Sequence, residues 1–229
     1  MSLSPLATAL LLTLKVAGLA TAALLLVGAP LAWLMAFRSF RGKWIVESIF
    51  MLPVTLPPTV LGFYLLLLFA PGGPLHRLTG LQWAFRFEGL VVASILFGLP
   101  FALNTYREAF LALDPDMIQT ARTLGARTPK VWREVILPLT WPGLLSGSLL
   151  AFAHTIGEFG VVLMVGGNIP GKTQTVSIFL YDLVQALEFD PAHRVAALLL
   201  ALSLTLLGGA RLLEARWRAW RSTMFSHGR

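Results

Sequence analysis

The segment Asp114–Pro138 reads DPDMIQTARTLGARTPKVWREVILP and lies between two long apolar runs. Asp114 ahead of Pro115 is a helix start: the carboxylate accepts a first-turn N–H, and proline is tolerated where no intrahelical donor is needed. Met117, Ile118, Ala121 and Leu124 then recur at helical spacing, with Gln119, Arg122 and Thr123 on the other side. Gly125 supplies the left-handed residue that ends a helix. Thr128-Pro129 repeats the start signal and opens a second helix running towards Pro138. The stretch reads as two short capped helices around a glycine, with a narrow apolar ridge and basic flanks. Two uses fit such a ridge: lying on a membrane surface, or seating in a groove of a protein partner.

Outward from this loop the chain is apolar on both sides. Gly89–Tyr106 precedes it and Val135–Gly157 follows, each without a charge and long enough to cross a bilayer. Val16–Phe37 and Ser48–His76 are further uncharged runs, and Val195–Ala210 is a shorter one whose flanking Arg194 and Arg211 can snorkel. These give five spans. Val16–Phe37 lacks the basic leader of a cleavable signal and is long for one. The 229 residues are 56% hydrophobic and only 13% charged, with no cysteine, against roughly 25% charged for a soluble domain. Those figures exclude a cytosolic enzyme, a disordered chain and a disulfide-stapled domain. An all-α polytopic membrane protein of one domain, 1–229, is expected.

The net charge of +7 is a matter of placement. Arg38, Arg41 and Lys43 follow span one; Arg107, Arg122, Arg127, Lys130 and Arg133 follow span three; Arg211, Arg216, Arg218, Arg221 and Arg229 follow span five. The alternate connections carry Arg77, Arg86, Lys172 and Arg194 among Glu88, Glu158, Asp182, Glu188 and Asp190. By the positive-inside rule the N-terminus faces outward, and the 107–138 loop and C-terminus face the cytoplasm. Basic residues are not interleaved with exposed aromatics, so nucleic acid is not an expected partner and membrane lipid is. Phe159–Gly171 and Thr173–Tyr181 are apolar but too short to span, and 159–192 is read as re-entrant or interfacial structure on the outer side.

With those residues in place, Gln119-Thr-Ala-Arg-Thr-Leu-Gly125, nine residues, then Val135-Ile-Leu-Pro138 resembles the EAA loop of type I ABC-importer permeases. The family pattern is E-A-A-x-x-x-G, nine residues, I-x-L-P. Ala121, Gly125, Leu137 and Pro138 match, whereas Gln119 replaces the Glu and Thr120 the first Ala. Ile156-Gly-Glu-Phe-Gly160, Met164-Val-Gly-Gly-Asn-Ile-Pro-Gly-Lys-Thr-Gln-Thr175 and Leu52-Pro-Val-Thr-Leu-Pro-Pro58 are similar to the molybdate-transporter permeases. Sulfate permeases usually lack the Gly-Lys-Thr-Gln-Thr continuation, and tungstate is not separated from molybdate. The resemblance implies a permease subunit in a bacterial-type cytoplasmic membrane, working as a homodimer with two cytoplasmic ABC ATPase subunits and an external molybdate-binding protein. It further implies that Ala121, Leu124, Gly125, Leu137 and Pro138 form or brace the docking loop for the ATPase.

One motif points elsewhere. Gly166-Gly-Asn-Ile-Pro-Gly-Lys-Thr173 satisfies the phosphate-binding G-x-x-x-x-G-K-[ST], with Val161–Val165 in the place of its strand. The charge pattern puts it outside, Pro170 removes a backbone donor from the nest, and no Walker-B strand follows. It is read as a chance match. No Ser-His-Asp, metal-ligand or paired-acid constellation occurs, so no catalytic residue, metal or cofactor is expected. An ion-driven secondary transporter would carry buried acid–base relays, which these runs almost lack.

Pro53, Pro57 and Pro58 interrupt span two, and LPVTLPP there echoes LPLTWPG at 137–143. Such prolines serve either helix packing or a hinge and pathway lining. Lys15, His154 and Glu158 stand near outer span ends, where ionisable groups are functional or snorkel. Glu158 would repel an outer anion and is assigned a structural or gate-closing role. The candidate gate is thus Pro53, Pro57, Pro58 and Glu158. Gly18, Gly28, Gly98, Gly143, Gly147, Gly208 and Gly209 are expected at close helix contacts.

Overall fold

A computed structural model describes residues 4–226, with side chains through Arg216. Of the basic residues assigned to the tail, Arg229 and the side chains of Arg218 and Arg221 lie outside the described part, as does His227. All regular secondary structure among the described residues is helical, and five segments are long and apolar enough to cross a membrane. Helix α1 is Pro5–Phe37, capped by Ser4, whose hydroxyl accepts from Ala7 N–H. Span two is divided into α2 (Lys43–Thr55) and α3 (Pro58–Phe69), followed by the short α4 (Pro74–Thr79). Span three is α5 (Phe87–Leu111), and the loop helix is α6 (Pro115–Thr123). Span four is α7 (Thr128–Gly157); α8 (Gly160–Gly166) and α9 (Val176–Gln185) follow, and α10 (Phe189–Ser226) is span five.

All five expected spans are present, and spans one, three, four and five extend past the uncharged runs that mark them, because helices continue through flanking polar residues until a cap stops them. Two local differences have clear causes. Span two is not one helix: Leu56, ahead of Pro57, is pushed to an extended conformation (φ −79°, ψ 142°), and Pro58 restarts the helix. The second loop helix is not separate either, since Thr128 opens α7 itself. Both α1 and α7 contain a π turn, Leu24–Gly28 and Trp132–Ile136, just ahead of Pro30 and Pro138. The wider turn gives room to a carbonyl that the proline ring would otherwise strike. The echo of LPVTLPP in 137–143 has no structural counterpart, since that second copy stays helical.

Helix α5 is the centre of the bundle, buried against α1, α2, α7 and α8. Its contact with α7 is set by glycine: a Cβ on Gly143 would lie 2.5 Å from that of Ala109, and one on Gly147 2.8 Å from the Tyr106 ring. Gly28 and Gly98 also face neighbours, whereas Gly18, Gly208 and Gly209 meet nothing within 4 Å inside this chain. Leu24, Tyr106, Phe110, Val131 and Ile136 join in one core cluster at the end that carries α6.

Candidate functional site

The loop is built as its sequence directs. Asp114 accepts from Asp116 N–H at 2.9 Å, and Pro115 opens α6. The helix closes with Gly125 N–H on the Arg122 carbonyl (3.0 Å) and Ala126 N–H on the Ala121 carbonyl (3.0 Å), Gly125 having φ +84°. That pairing is the Schellman end, which requires the left-handed residue. The apolar residues of α6 divide. Ile118 and Ala121 turn inward, half-buried on the core cluster, while Leu124 is 82% exposed beside exposed Gln119, Thr120 and Thr123. Leu137 and Pro138, the two residues after the cluster's buried Ile136, are also exposed. Beneath α6, Trp132 lies 4.5 Å from Trp33, centroid to centroid, and Trp33 lies 5.2 Å edge-on to Phe110. The loop helix therefore rests on a rigid aromatic floor joining spans one, three and four.

Two of the four gate candidates meet. Pro58 and Glu158 line one cavity of about 400 Å³ together with Phe97, His154, Gly157 and Gly160. Pro57 marks the break in span two, and Pro53 is buried inside α2 away from the cavity lining. Span four ends at Gly157, where the sequence reading ended it; what that reading did not show is that the step from α7 to α8 lies beside the break in span two. A Cβ on Gly160 would sit 2.8 Å from that of Pro58, and one on Gly62 2.7 Å from that of Met164, so α8 continues alongside α3. Gly157 and Gly160 around Glu158-Phe159 were the available signal.

Glu158 is only 5% exposed, and its carboxylate faces the N–H groups of Val161 and Val162 without a hydrogen bond of ordinary geometry. Its backbone carbonyl accepts from the Ser177 hydroxyl of α9. His154, one turn earlier, lies 4.8 Å from Phe97 and 4.1 Å from Phe101, with Nε2 unpartnered. Lys15 is exposed on α1.

The phosphate-loop match does not have phosphate-loop geometry. Val161–Val165 is helical, and the buried Thr173 hydroxyl donates to the Gly166 carbonyl at 2.7 Å. Asn168 donates to both oxygens of Asp182 (2.7 and 2.8 Å), and Gln174 donates to Asp182 (2.8 Å) and to Asn168 (3.0 Å). The polar groups of this turn are spent on bracing it against α9.

Residues 28–219 match the family model described as the binding-protein-dependent transport system inner membrane component. The chain is 46% identical to the molybdenum transport system permease protein ModB of Azotobacter vinelandii, over 82% of this chain and 85% of that protein. It is 31% identical to the sulfate transport system permease protein CysT of Salmonella typhimurium, over 83% of this chain and 70% of that protein. A bacterial ABC transporter that imports the acidic polysaccharide alginate has the same fold, with a TM-score of 0.75 at 16% identity over 94% of this chain and 80% of that one. The chain belongs to the binding-protein-dependent transport system inner membrane components, as a multi-pass membrane protein with the ABC-importer permease fold.

Proposed function

We propose that this chain is the permease subunit of an ATP-driven importer of molybdate. The observation that carries the reading is the 46% identity to a molybdenum permease over 85% of its length, against 31% to a sulfate permease. The Gly171-Lys-Thr-Gln-Thr175 continuation favours the same oxyanion. In this reading the N-terminus is outside, and α6 projects into the cytoplasm, where a partner ATPase receives the exposed Leu124. Ala121 and Gly125 fix the end of the docking helix, and the exposed Gly125 lies open to the partner beside Leu124. Two copies of the chain pair around the pathway, two ATPase subunits bind below, and an external protein delivers the anion. Closure of the ATPases on ATP moves the paired α6 helices, and the aromatic floor at Trp33 and Trp132 carries that motion into spans one, three and four. Each partner must bind the two states unequally for this to work.

The test is uptake of labelled molybdate into proteoliposomes holding the reconstituted complex, competed by sulfate and tungstate. Molybdate uptake requiring ATP and resisting excess sulfate is expected. Uptake without the ATPase subunit would make the chain a secondary transporter, and preferential sulfate uptake would move it to the sulfate class.

A further inference from the structure

Between Glu88 and Glu108, Asn104 is the one exposed residue of α5, the most enclosed span. It lies seven residues, about 10 Å, before the loop end of the helix. A carboxamide facing hydrocarbon at that depth is costly, so it looks onto a water-filled path or a protein neighbour. Its Nδ2 has one partner, the Met51 thioether at 3.6 Å, which is a weak acceptor. Phe101 and Phe97, three and seven residues earlier, share its face of the helix and lead to the cavity beside Glu158.

Asn104 also lines a second cavity, of about 210 Å³, with Met35, Glu47, Met51 and Arg107. Arg107 Nε is buried and has no acceptor among the described residues, and its Nη2 is 3.6 Å from Glu47 Oε1. Lys43 stands 4.0 Å from the same oxygen but is committed to the Met35 carbonyl at 2.6 Å. The two cations and one carboxylate leave one net positive charge. The cavity thus holds two underused donors of different span depth, the Asn104 amide and the Arg107 guanidinium, and room for an anion with a few waters at about 30 Å³ each.

We infer that this cavity is an oxyanion subsite at the cytoplasmic end of the pathway, where Asn104 and Arg107 donate to a tetrahedral oxyanion. The guanidinium fork matches two oxygens of such an anion, and Glu47 is the acceptor that re-engages Arg107 when the anion leaves. The inference rests on the importer reading and adds a ligand-binding site within the membrane subunit.

The chain has no cysteine, so an introduced one is unique. Asn104→Cys, and Leu204→Cys on the exposed side of α10 as control, are reconstituted with the partner subunits. Each is treated with an anionic, membrane-impermeant methanethiosulfonate, with and without molybdate, and with chloride at matched ionic strength. Asn104→Cys should react about ten-fold faster than Leu204→Cys, in keeping with its access to water. Molybdate, not chloride, should slow the reaction, and added Arg107→Gln should abolish that protection. Equal reactivity of the two cysteines, or labelling that molybdate leaves unchanged, overturns the subsite. In parallel, Arg107→Gln in the otherwise native chain should lower molybdate uptake per ATP hydrolysed by about ten-fold, the worth of a charge-assisted contact. Unchanged uptake per ATP also overturns the subsite, including where the cysteine variant does not assemble. Absence of ATP-dependent uptake by the native complex would instead sink the importer reading.

Discussion

The Tyr106 hydroxyl lies 2.7 Å from Ser148 Oγ, fully buried between spans three and four. Ser148 already donates to the Leu144 carbonyl at 2.8 Å, so Tyr106 is the donor of the pair. The Tyr106 ring lies over Gly147, where a Cβ would approach within 2.8 Å. One polar contact and two missing side chains, at Gly143 and Gly147, thus set how closely α5 and α7 approach. Tyr106→Phe removes only the hydroxyl and should cost about 1 kcal/mol. Gly147→Leu must separate the helices and should prevent recovery of folded protein. The yield of folded protein from detergent extracts, with melting curves of what is recovered, distinguishes the two, and equal behaviour would mean that the contact is not the determinant.

Much of this arrangement is readable from residues, for physical reasons that differ by element. Apolar runs longer than the bilayer are unambiguous, and the Asp114-Pro115 and Gly125 caps are local chemistry that needs no tertiary context. The break at Glu158-Phe159 has no proline, and the hydrogen bond that the Glu158 carbonyl makes there comes from Ser177, nineteen residues away. Asn104 was invisible because a helix apolar on all sides gives no moment from which to read an exposed face. The inward turn of Ala121 was hidden likewise: the ridge of α6 has two flanks, and only the aromatic floor decides which is covered.

The docking assignment predicts separate effects for two adjacent residues. Leu124→Ser removes the exposed apolar contact without touching the core, so the protein should insert and dimerise normally while uptake per ATP falls about ten-fold, the effect of losing one interface anchor. Gly125→Asp meets no atom within 4 Å but must hold φ +84°, a strain of roughly 1 kcal/mol that loosens the helix end. It too should leave insertion intact and uncouple hydrolysis from uptake. Parallel measurement of phosphate release and molybdate uptake checks both, and normal coupling in both variants would remove α6 as the docking element.

The outer turn gives a prediction that separates bracing from nucleotide chemistry. Asp182→Ala leaves the Asn168 and Gln174 amides without their shared acceptor. The turn should loosen, becoming more sensitive to limited proteolysis near Gly171, and stimulation of ATP hydrolysis by the external binding protein should drop. Lys172→Ala, in contrast, should leave hydrolysis by the complex unchanged. Nucleotide bound by the isolated permease and lost in Lys172→Ala would restore the phosphate-loop reading.

Glu158 tests what the paired helix breaks require. Its carboxylate is buried at the start of α8 with no cation and no hydrogen bond of ordinary geometry among the described residues, so a negative charge there has only the Val161 and Val162 N–H groups to offset its desolvation. Glu158→Gln keeps the shape and removes the charge; its melting temperature should equal or exceed that of the native protein, and uptake should continue. Glu158→Lys turns an ammonium toward the N–H groups of Val161 and Val162 and should lower the melting temperature by several degrees, consistent with a cost of about 2 kcal/mol or more for a mispaired buried charge. If Gln abolishes uptake while the protein stays folded, the charge itself takes part in transport, and the structural reading of Glu158 gives way to an active gate. If Lys is as stable as Gln, the break between α7 and α8 does not depend on this side chain, and the Ser177 contact with the Glu158 carbonyl must hold it alone.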